Sequence, residues 1–375
     1  MLSKEFIDTV SFPITQLYMA SENRLLAMIV KRLKSATGNF DLEKWDIKKL
    51  SDMGGLNRQA YNEIAKTSKR AKKLLGEVLH EVAKRSLELD GVDATETRGV
   101  LQTIKALQAQ ASSHLNVVNT TMLAGVQDRF GEIVARLDNE RNAILNDSAI
   151  DLVTGQVSFR DAVASSVRQL SDAGINAYVD KAGRSWSPEG YVSMDLRTTS
   201  AQTARKVVEE QGKDYGLDVI LVSSHAGARP KCAPYQGRCF SMSGRYGTIK
   251  DANGREYEFE PIQNTSYGEP DGLFGINCGH SFRYIEEGAF FNRERTLDTK
   301  AEKERNERQY AQSQEQRSIE REIRSWKREA ELQGLSGSKE EAETASGRVR
   351  DLENQYRSFC EQTGRTPRWN RTDIY

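Results

Sequence analysis

Residues 225–280 contain an unusual concentration of side chains that can bind metals. Two of the four histidines and three of the four cysteines of the chain fall in this stretch, namely His225, Cys232, Cys239, Cys278 and His280. Structural zinc sites take four ligands from Cys and His in a tetrahedron, often as two pairs from separate turns or strands. His225 with Cys232, and Cys278 with His280, provide two such pairs. We therefore predict a structural zinc site, or a site for another borderline metal, at these four residues.

The local spacing supports this choice of ligands. In the sequence Cys278-Gly-His280 the two ligands are separated by one residue, so an extended backbone places both on the same side. Cys239 is left out of the set because it alternates with Phe240 in a short predicted strand. We expect Cys239 to be a buried thiol.

The zinc interpretation has a structural alternative. Cys-x-x-Cys is absent, and six residues separate His225 from Cys232, which is not the spacing of a common zinc finger. The cluster could instead consist of buried thiols and hydrogen-bonded imidazoles in a tight, glycine-rich module. A module with few large apolar residues gains more stability from a metal than a large core would. His80 and His114, in helical stretches, are predicted surface or packing residues, and Cys360 a core residue.

Enzymatic readings of the same residues find little support. Zinc deaminases need His-x-Glu, whereas Ala226 and Gly227 follow His225. The His-Glu-x-x-His pattern of zincin metalloproteases is also absent. Cys278 and His280 could form a nucleophile and base, but neighbours on one strand rarely present the required geometry. A metal-dependent hydrolase therefore remains only an alternative to a structural protein.

A second enzymatic alternative comes from a dispersed pattern. Arg197, Ser223-Ser224 and Glu258-Phe-Glu260 occur in the order that resembles the arginine-type ADP-ribosyltransferases. Charged residues make up 29% of the chain, so a Glu-x-Glu sequence arises readily by chance. The simpler expectation is that Glu258 and Glu260 lie on the outer face of a hairpin strand.

Composition indicates the kind of molecule that positions these residues. The chain has 375 residues, 37% of them hydrophobic, which predicts two or three domains and an elongated, helix-rich protein. Its net charge is zero, so the whole-chain charge gives no argument for affinity to nucleic acid or membranes, while local basic patches remain allowed. Neither a secretory signal nor an apolar run of about 18 residues is recognisable. Four cysteines then indicate thiols or metal ligands in a reducing cytoplasm.

The sequence predicts an α+β protein with three parts. Residues 1–174 form a helical domain for docking on a partner, residues 175–290 a small loop-rich α+β module with the Cys/His cluster, and residues 291–375 a charged helical hairpin with a tail. Five of the seven prolines lie between Pro188 and Pro270. Proline interrupts helices, so it separates the module from the helical segments on either side.

Two features define the helical domain. Pro13 suits the first turn of a helix, where its missing N–H has no cost. A second helix is predicted to begin at Asp93, capped with Glu96, and small or apolar residues recur in it every three or four positions from 100 to 137. Such a narrow stripe indicates a helix of about 40 residues that packs along one seam, as in a coiled coil. It could be an ordinary bundle helix or a rod for partner binding or self-association.

The module and the C-terminal part have their own signals. We predict strands at residues 175–180 and 219–223, a helix over 194–212, and a hairpin that joins 246–249 to 256–259 through an Asn-Gly turn. Apolar seams predict two C-terminal helices, separated by a Gly-Ser stretch at 334–338. Ser338 and Glu341 form a predicted capping box.

Several phrases of the sequence resemble those of one protein family. The phrases are Met194-Asp-Leu-Arg-Thr-Thr199, Ser223-Ser-His-Ala-Gly-Ala-Arg-Pro-Lys-Cys-Ala-Pro-Tyr-Gln-Gly237, Phe240-Ser-Met-Ser-Gly244, Asp271-Gly-Leu-Phe-Gly-Ile-Asn-Cys-Gly-His280 and Gln316-Arg-Ser-Ile-Glu-Arg-Glu-Ile-Arg324. From about Tyr178 to the C-terminus the chain resembles the phage minor capsid protein 2 family, among the head-morphogenesis minor head proteins of tailed phages.

The resemblance implies a low-copy virion protein, made in the host cytoplasm and located inside the phage head near the portal. It implies a structural role in head assembly and in DNA packaging or delivery, with portal and head proteins as partners and no established catalysis. His225, Cys232, Cys278 and His280 match ligand-type positions of the family. The C-terminal residues Arg365, Arg368 and Arg371, with Trp369, could contact packaged DNA or an acidic portal surface, or form a frayed terminus.

Overall fold

Helices dominate the protein, and one small sheet lies in the middle of the chain. The computed structural model describes residues 2–36, 38–42, 54–89, 98–147, 152–176, 178–180, 183–291 and 294–375. The helices are α1 (Lys4–Ala36), α2 (Gly54–Leu89), α3 (Arg98–Asn146), α4 (Leu152–Ala173), α5 (Pro188–Asp214), α6 (Lys300–Ser336) and α7 (Lys339–Thr363). The strands are β1 (Tyr178–Val179), β2 (Ser185–Trp186), β3 (Val219–Val222), β4 (Cys239–Ser241), β5 (Gly247–Lys250), β6 (Glu256–Pro261) and β7 (Phe282–Tyr284). This order confirms the predicted α+β class.

The chain forms two compact units, each assembled from three stretches of sequence. The first contains Met1–Thr15, Lys72–His114 and Val192–Gln314, and the second Gln16–Ala71, Leu115–Tyr191 and Glu315–Tyr375. The whole Cys/His region belongs to the first unit. The three sequential domains inferred from composition stay a prediction.

Helix α1 begins earlier than the sequence suggested. The hydroxyl of Ser3 accepts a hydrogen bond from the backbone N–H of Phe6 at 3.1 Å, which satisfies one of the free donors at the helix start. Pro13 therefore lies inside α1 and not in its first turn, so that prediction is wrong. The capping serine, not the proline, sets the boundary.

The long seam of α3 is confirmed. Its apolar positions are buried along most of the helix, including Leu115, Val118, Met122, Val126 and Phe130. The helix runs for 49 residues to Asn146. Its predicted start at Asp93 lies outside the described residues.

The five-stranded sheet carries the module. Its strand order is β5-β6-β4-β3-β7, and only the β4–β6 pair is parallel. All four residues of β3 are buried, since this strand is covered on both faces. On one face, Ile220 and Val222 pack with Val208 of α5, and on the other Val219 and Leu221 pack with Cys239. The predicted strand at 219–223, the helix over 194–212 and the 246–259 hairpin are thus confirmed.

Helices α6 and α7 form the predicted C-terminal hairpin. Ile319 and Ile323 of α6 pack against Leu352, Tyr356 and Cys360 of α7. Gly337 makes the turn with φ of +99°, a conformation that suits glycine.

The capping box predicted at the start of α7 is wrong. Ser338 occupies the N-cap position, but its side chain makes no capping hydrogen bond. Its hydroxyl instead accepts a hydrogen bond from the Ser336 hydroxyl at 3.1 Å. The hydroxyl is therefore used within the turn.

The C-terminal tail is packed against the hairpin. Thr372 is buried, and Trp369 packs edge-on against Tyr356 with ring centroids 5.0 Å apart. Arg365 donates to Gln316, and the backbone carbonyl of Arg371 accepts from Arg324. The frayed-terminus alternative is therefore wrong, and these contacts already use part of the tail.

In the described part of the chain, no helix combines the length and apolar character needed to cross a bilayer.

Truncating the centre of the hairpin seam should destabilise the second unit. Ile323 has no exposed surface, so Ile323→Ala should lower the free energy of unfolding by about 2–5 kcal/mol. Val157→Ala is the matched control in the same unit, because its side chain is 53% exposed and should cost about 0.5 kcal/mol or less. Denaturant unfolding followed by circular dichroism measures both, and equal effects would show that the seam does not stabilise the unit.

Candidate metal centre

The pairing of β3 with β7 brings the two predicted ligand pairs together. Val222 stands opposite Phe282, and beyond the strand ends the N–H of Ser223 donates to the carbonyl of Ser281 at 2.9 Å. The antiparallel register continues from this pair, so His225 falls opposite Gly279. Gly279 separates the two ligands Cys278 and His280. Strand pairing alone thus places three of the four predicted residues at one edge of the sheet.

Cys232 reaches the same edge through the loop between β3 and β4. Asn306 of α6 is buried and holds this loop with two hydrogen bonds, both 2.9 Å, to the N–H and carbonyl of Ala228. The N–H of Cys232 donates to the carbonyl of Arg229 at 2.9 Å, which closes a turn. The turn points the thiol inward, where it is 1% exposed.

Three of the predicted ligands converge in the interior. One ligand atom each from Cys232, Cys278 and His280 lies within 4.8 Å of the others, and all three residues are buried. The two sulfur atoms are 3.8 Å apart. Sγ of Cys278 lies 3.5 Å from Nδ1 of His280.

These distances fit a tetrahedral zinc ion. With Zn–S of about 2.3 Å and Zn–N of about 2.0–2.1 Å, tetrahedral angles require about 3.8 Å between two sulfurs and about 3.6 Å between sulfur and nitrogen. The observed separations of 3.8 and 3.5 Å agree with both values. The separations of Cys278 from Cys232 and from His280 are therefore those that a zinc site requires.

Gln236 holds both histidines. With Nδ1 of His280 facing the thiols, Nε2 carries the hydrogen and donates to Oε1 of Gln236 at 3.3 Å. The same oxygen accepts the backbone N–H of His225, also at 3.3 Å. Metal-binding histidines usually donate their second N–H to a carbonyl or carboxylate, which fixes the tautomer and the ring plane. Gln236 is buried and supplies this contact.

His225 lies beside the other imidazole and the thiols, but its ring nitrogens are not among the donor atoms that lie within 4.8 Å of one another. Its Nδ1 lies 3.2 Å from the carbonyl of Ala226, so the hydrogen sits on Nδ1 and the lone pair on Nε2. Nε2 is buried and has no hydrogen-bond partner in the described structure. The ring lies 4.4 Å from that of His280, centroid to centroid. Burial lowers the pKa of His225 to about 4, so the imidazole is neutral, as a metal ligand must be.

Glycine at position 279, between the two ligands, leaves room for the His225 ring and the Lys4 side chain. A Cβ atom at Gly279 would lie 3.0 Å from Nε2 of His225 and 2.8 Å from Cδ of Lys4. Both separations are shorter than ordinary carbon contacts. A side chain here would displace the His225 ring from the ligand pair.

The two thiols differ in their tendency to ionise. The hydrogen bond with Cys232 is the main cause that lowers the pKa of Cys278 to about 3, and His280 contributes as well. The same hydrogen bond, together with burial, raises the pKa of Cys232. A thiolate at this position is the form that binds metals.

The loop before Cys278 is held in a strained shape. Phe274 and Asn277 have φ of +61° and +56°, a left-handed conformation that costs non-glycine residues about 1–3 kcal/mol each. Arg205 of α5 clamps this loop by donating to the carbonyls of Phe274 at 3.0 Å and His280 at 3.4 Å. Such strain is found at ligand-binding loops that their surroundings hold in place.

The remaining predicted residues lie elsewhere. Cys239 is buried in the cluster on the opposite face of the sheet, as expected for a residue outside the ligand set, and burial raises its pKa to about 11. His80 is exposed, as predicted. His114 has a partner that sequence reasoning missed, because its Nδ1 lies 2.6 Å from Oδ1 of the buried Asp195.

The ADP-ribosyltransferase-like pattern does not assemble into one site. Arg197 forms an ion pair with Asp8 at 2.8 Å and lines a small cavity beside Cys278. Glu258 and Glu260 line a different, larger cavity along β4, β5 and β6. Arginine and glutamates are thus separated in the fold.

Comparisons with known proteins agree with the sequence phrases. The family model described as phage minor capsid protein 2 matches residues 2–361. The chain belongs to this family. It is also 24% identical, over 93% of its length and 95% of the relative's, to a protein named "Structural protein" of Lactococcus phage LL-H. No solved structure matches it significantly.

The geometry around the cluster suits a structural minor capsid protein. The cavity beside Cys278 has a volume of about 30 Å³. Since each water needs about 10–15 Å³ of such volume, the cavity has room for about two waters. The residues that support the donors, Gln236, Asn306 and Arg205, carry no sequence motif. The one sequence signal for Gln236 is its position within the family-like phrase at residues 223–237.

Removing the support of His280 should weaken metal binding without removing a ligand. Gln236→Leu in this minor capsid protein should lower zinc affinity by about 10–100-fold, the usual effect of losing such a contact. Gln263→Leu is the matched control, because Gln263 is exposed. Competition with a fluorescent zinc chelator measures both affinities. Equal zinc affinity in the two variants would show that Gln236 does not support the metal site.

Proposed function

We propose that this minor capsid protein associates with the portal, acts in head assembly and in DNA packaging or delivery, and folds its 225–280 module around one structural zinc ion. The spacing of the Cys232, Cys278 and His280 donor atoms carries the zinc part of this proposal. Family membership carries the structural role. The position at the portal rests on the resemblance of the sequence phrases to minor head proteins.

The donor set favours a structural zinc over a catalytic one. Catalytic zinc keeps a coordination position open for water or substrate, whereas structural zinc is closed by four protein ligands. His225 would complete the set by turning its unpartnered, buried Nε2 toward the three donors that already lie together. With four donors and a neighbouring cavity of about 30 Å³, the ion has no room to bind a substrate.

The module has reason to depend on such an ion. Four of its five strands have only three or four residues, and the cluster that packs them includes Cys232 and Cys278 themselves. Short strands and long loops bury little apolar surface. A bound zinc would add folding free energy directly, about 10–16 kcal/mol in small zinc-binding peptides.

The helical parts support a role in assembly. Long helices with narrow apolar seams, such as α3 and the α6–α7 hairpin, provide rigid surfaces suited to contacts with other head proteins. Both alternatives for α3, an internal bundle helix and a partner-binding rod, fit such a protein.

The protein should contain about one zinc per chain when purified without chelators. Cys278→Ser and His280→Ala should lose the zinc and lower the thermal stability of the module, because each removes a ligand. Elemental analysis and circular dichroism measure both effects.

Cys239→Ser is the matched control and should keep its zinc, since Cys239 packs on the other face of the sheet. His225→Ala tests the fourth ligand and should reduce zinc affinity without preventing binding by the other three. A metal-free, stable wild-type protein, or zinc retained in Cys278→Ser, would contradict the zinc proposal.

The protein should lie at the portal vertex of the assembled head. Cryo-electron microscopy of particles from the parent phage and from a deletion mutant should show density near the portal in the parent alone. Density distributed over the capsid shell would contradict portal association and leave the family role unaffected.

A further inference from the structure

Helix α2 has two faces of opposite character. Its buried residues recur every three or four positions and form one stripe: Leu56, Ala60, Ile64, Thr67, Ala71 and Leu75. The opposite side of the helix is exposed. With 100° between successive residues, Lys66, Lys69 and Arg70 project from this exposed side, together with Arg58.

The exposed face of α2 is strongly basic. From Arg58 to Lys73 the helix contains six Lys and Arg residues and a single acidic residue, Glu63. Helix α6, by contrast, contains nine basic and eight acidic residues in alternating order. The chain as a whole is neutral, so the charge has been concentrated locally on α2.

Five of the six cations of this face have no ion pair among the described residues, and the sixth, Lys73, lies 3.9 Å from Glu77. Glu63 is already paired with Arg24 at 2.7 Å. Among the described residues, Arg58, Lys66, Lys69, Arg70 and Lys72 make no ion pair or side-chain hydrogen bond. Lysines on other exposed surfaces do, as Lys206 does with Glu209 and Lys250 with Glu256. A partner can therefore engage the α2 cations without first breaking an ion pair.

We propose that the basic face of α2 binds the phosphate backbone of duplex DNA. The proposal rests on the proposed function, because packaged DNA is the polyanion that a head protein meets inside the capsid. A helix rises 1.5 Å per residue, so this face extends over about 22 Å, and duplex DNA presents one negative charge per about 1.7 Å of its axis. Contacts of this kind position a protein on DNA without reading its sequence.

The test measures the salt dependence of binding. Fluorescence anisotropy of a labelled 30-base-pair duplex of mixed sequence, titrated with the full-length protein between about 50 and 200 mM salt, gives the slope of log K against log salt. Replacing three cations, as in K66Q/K69Q/R70Q, should make this slope shallower by about 2 to 3 and weaken binding at least about tenfold at low salt.

A second triple variant controls for net charge. K303Q/R305Q/R308Q removes three exposed cations from α6, and it should leave the slope and affinity close to wild type. Equal losses in both variants, or no DNA binding by the wild type at low salt, would overturn the proposal. So would binding to polyglutamate in place of DNA, which would assign the face to an acidic protein partner.

The outcome is separable from the proposed function. The α2 variant should still contain zinc and assemble at the portal vertex, since its three substitutions lie far along the chain from every metal ligand. Loss of DNA binding with zinc and assembly intact supports the proposal. If the purified wild-type protein binds DNA but the particles show no density for it at the portal, the α2 proposal stands and the portal assignment is wrong.

Discussion

The contact between the sulfurs of Cys232 and Cys278 holds together the two loops on which the module depends. One loop follows β3 and the other precedes β7, and the two strands pair over only three residues. Strands this short are marginal without further support. Both cysteines belong to the apolar cluster that also contains Ile220, Phe240 and Phe282, so the metal donors and the core occupy the same volume.

This arrangement explains several otherwise costly features. Phe274 and Asn277 adopt strained backbone conformations, and Arg205 is buried with carbonyl oxygens as its hydrogen-bond acceptors. Buried arginine is expensive unless an opposite charge lies nearby. A thiolate at Cys278 provides that charge, and a zinc site would keep it deprotonated. The clamp on the loop and the chemistry of the ligand thus support each other.

The sequence identified Cys232, Cys278 and His280, the three residues that converge, because chemistry limits the choice of metal-binding side chains. Few side chains bind zinc, so the crowding of His and Cys could be recognised before any geometry was known. The pairing of β3 with β7 was not predicted, because a strand of three residues such as Phe282–Tyr284 is too short to show a pattern. Gln236 and Asn306 could not be predicted, because an amide that supports a ligand looks like any other polar residue. Two helix starts were also mispredicted, because local hydrogen bonds compete at a helix end. Ser3, and not Pro13, marks the start of α1, and the Ser338 hydroxyl bonds within its turn and does not cap α7.

Charge was the property that whole-chain reasoning described least well. The net charge of zero is a sum over the whole chain, and it conceals a local excess of basic residues on the exposed face of α2. The basic residues of the tail, which were more conspicuous in the sequence, are partly used to hold the terminus on the hairpin, as the contact of Arg365 with Gln316 shows. Local segregation and pairing decide which cations are available to a partner.

The central claim is that two thiolates and two imidazoles enclose one zinc ion. X-ray absorption at the zinc edge of the purified full-length protein tests it most directly. The account predicts four ligands, two sulfurs at about 2.3 Å and two nitrogens at about 2.0–2.1 Å. A first shell of oxygen and nitrogen without sulfur, or a protein that contains no zinc, would contradict it.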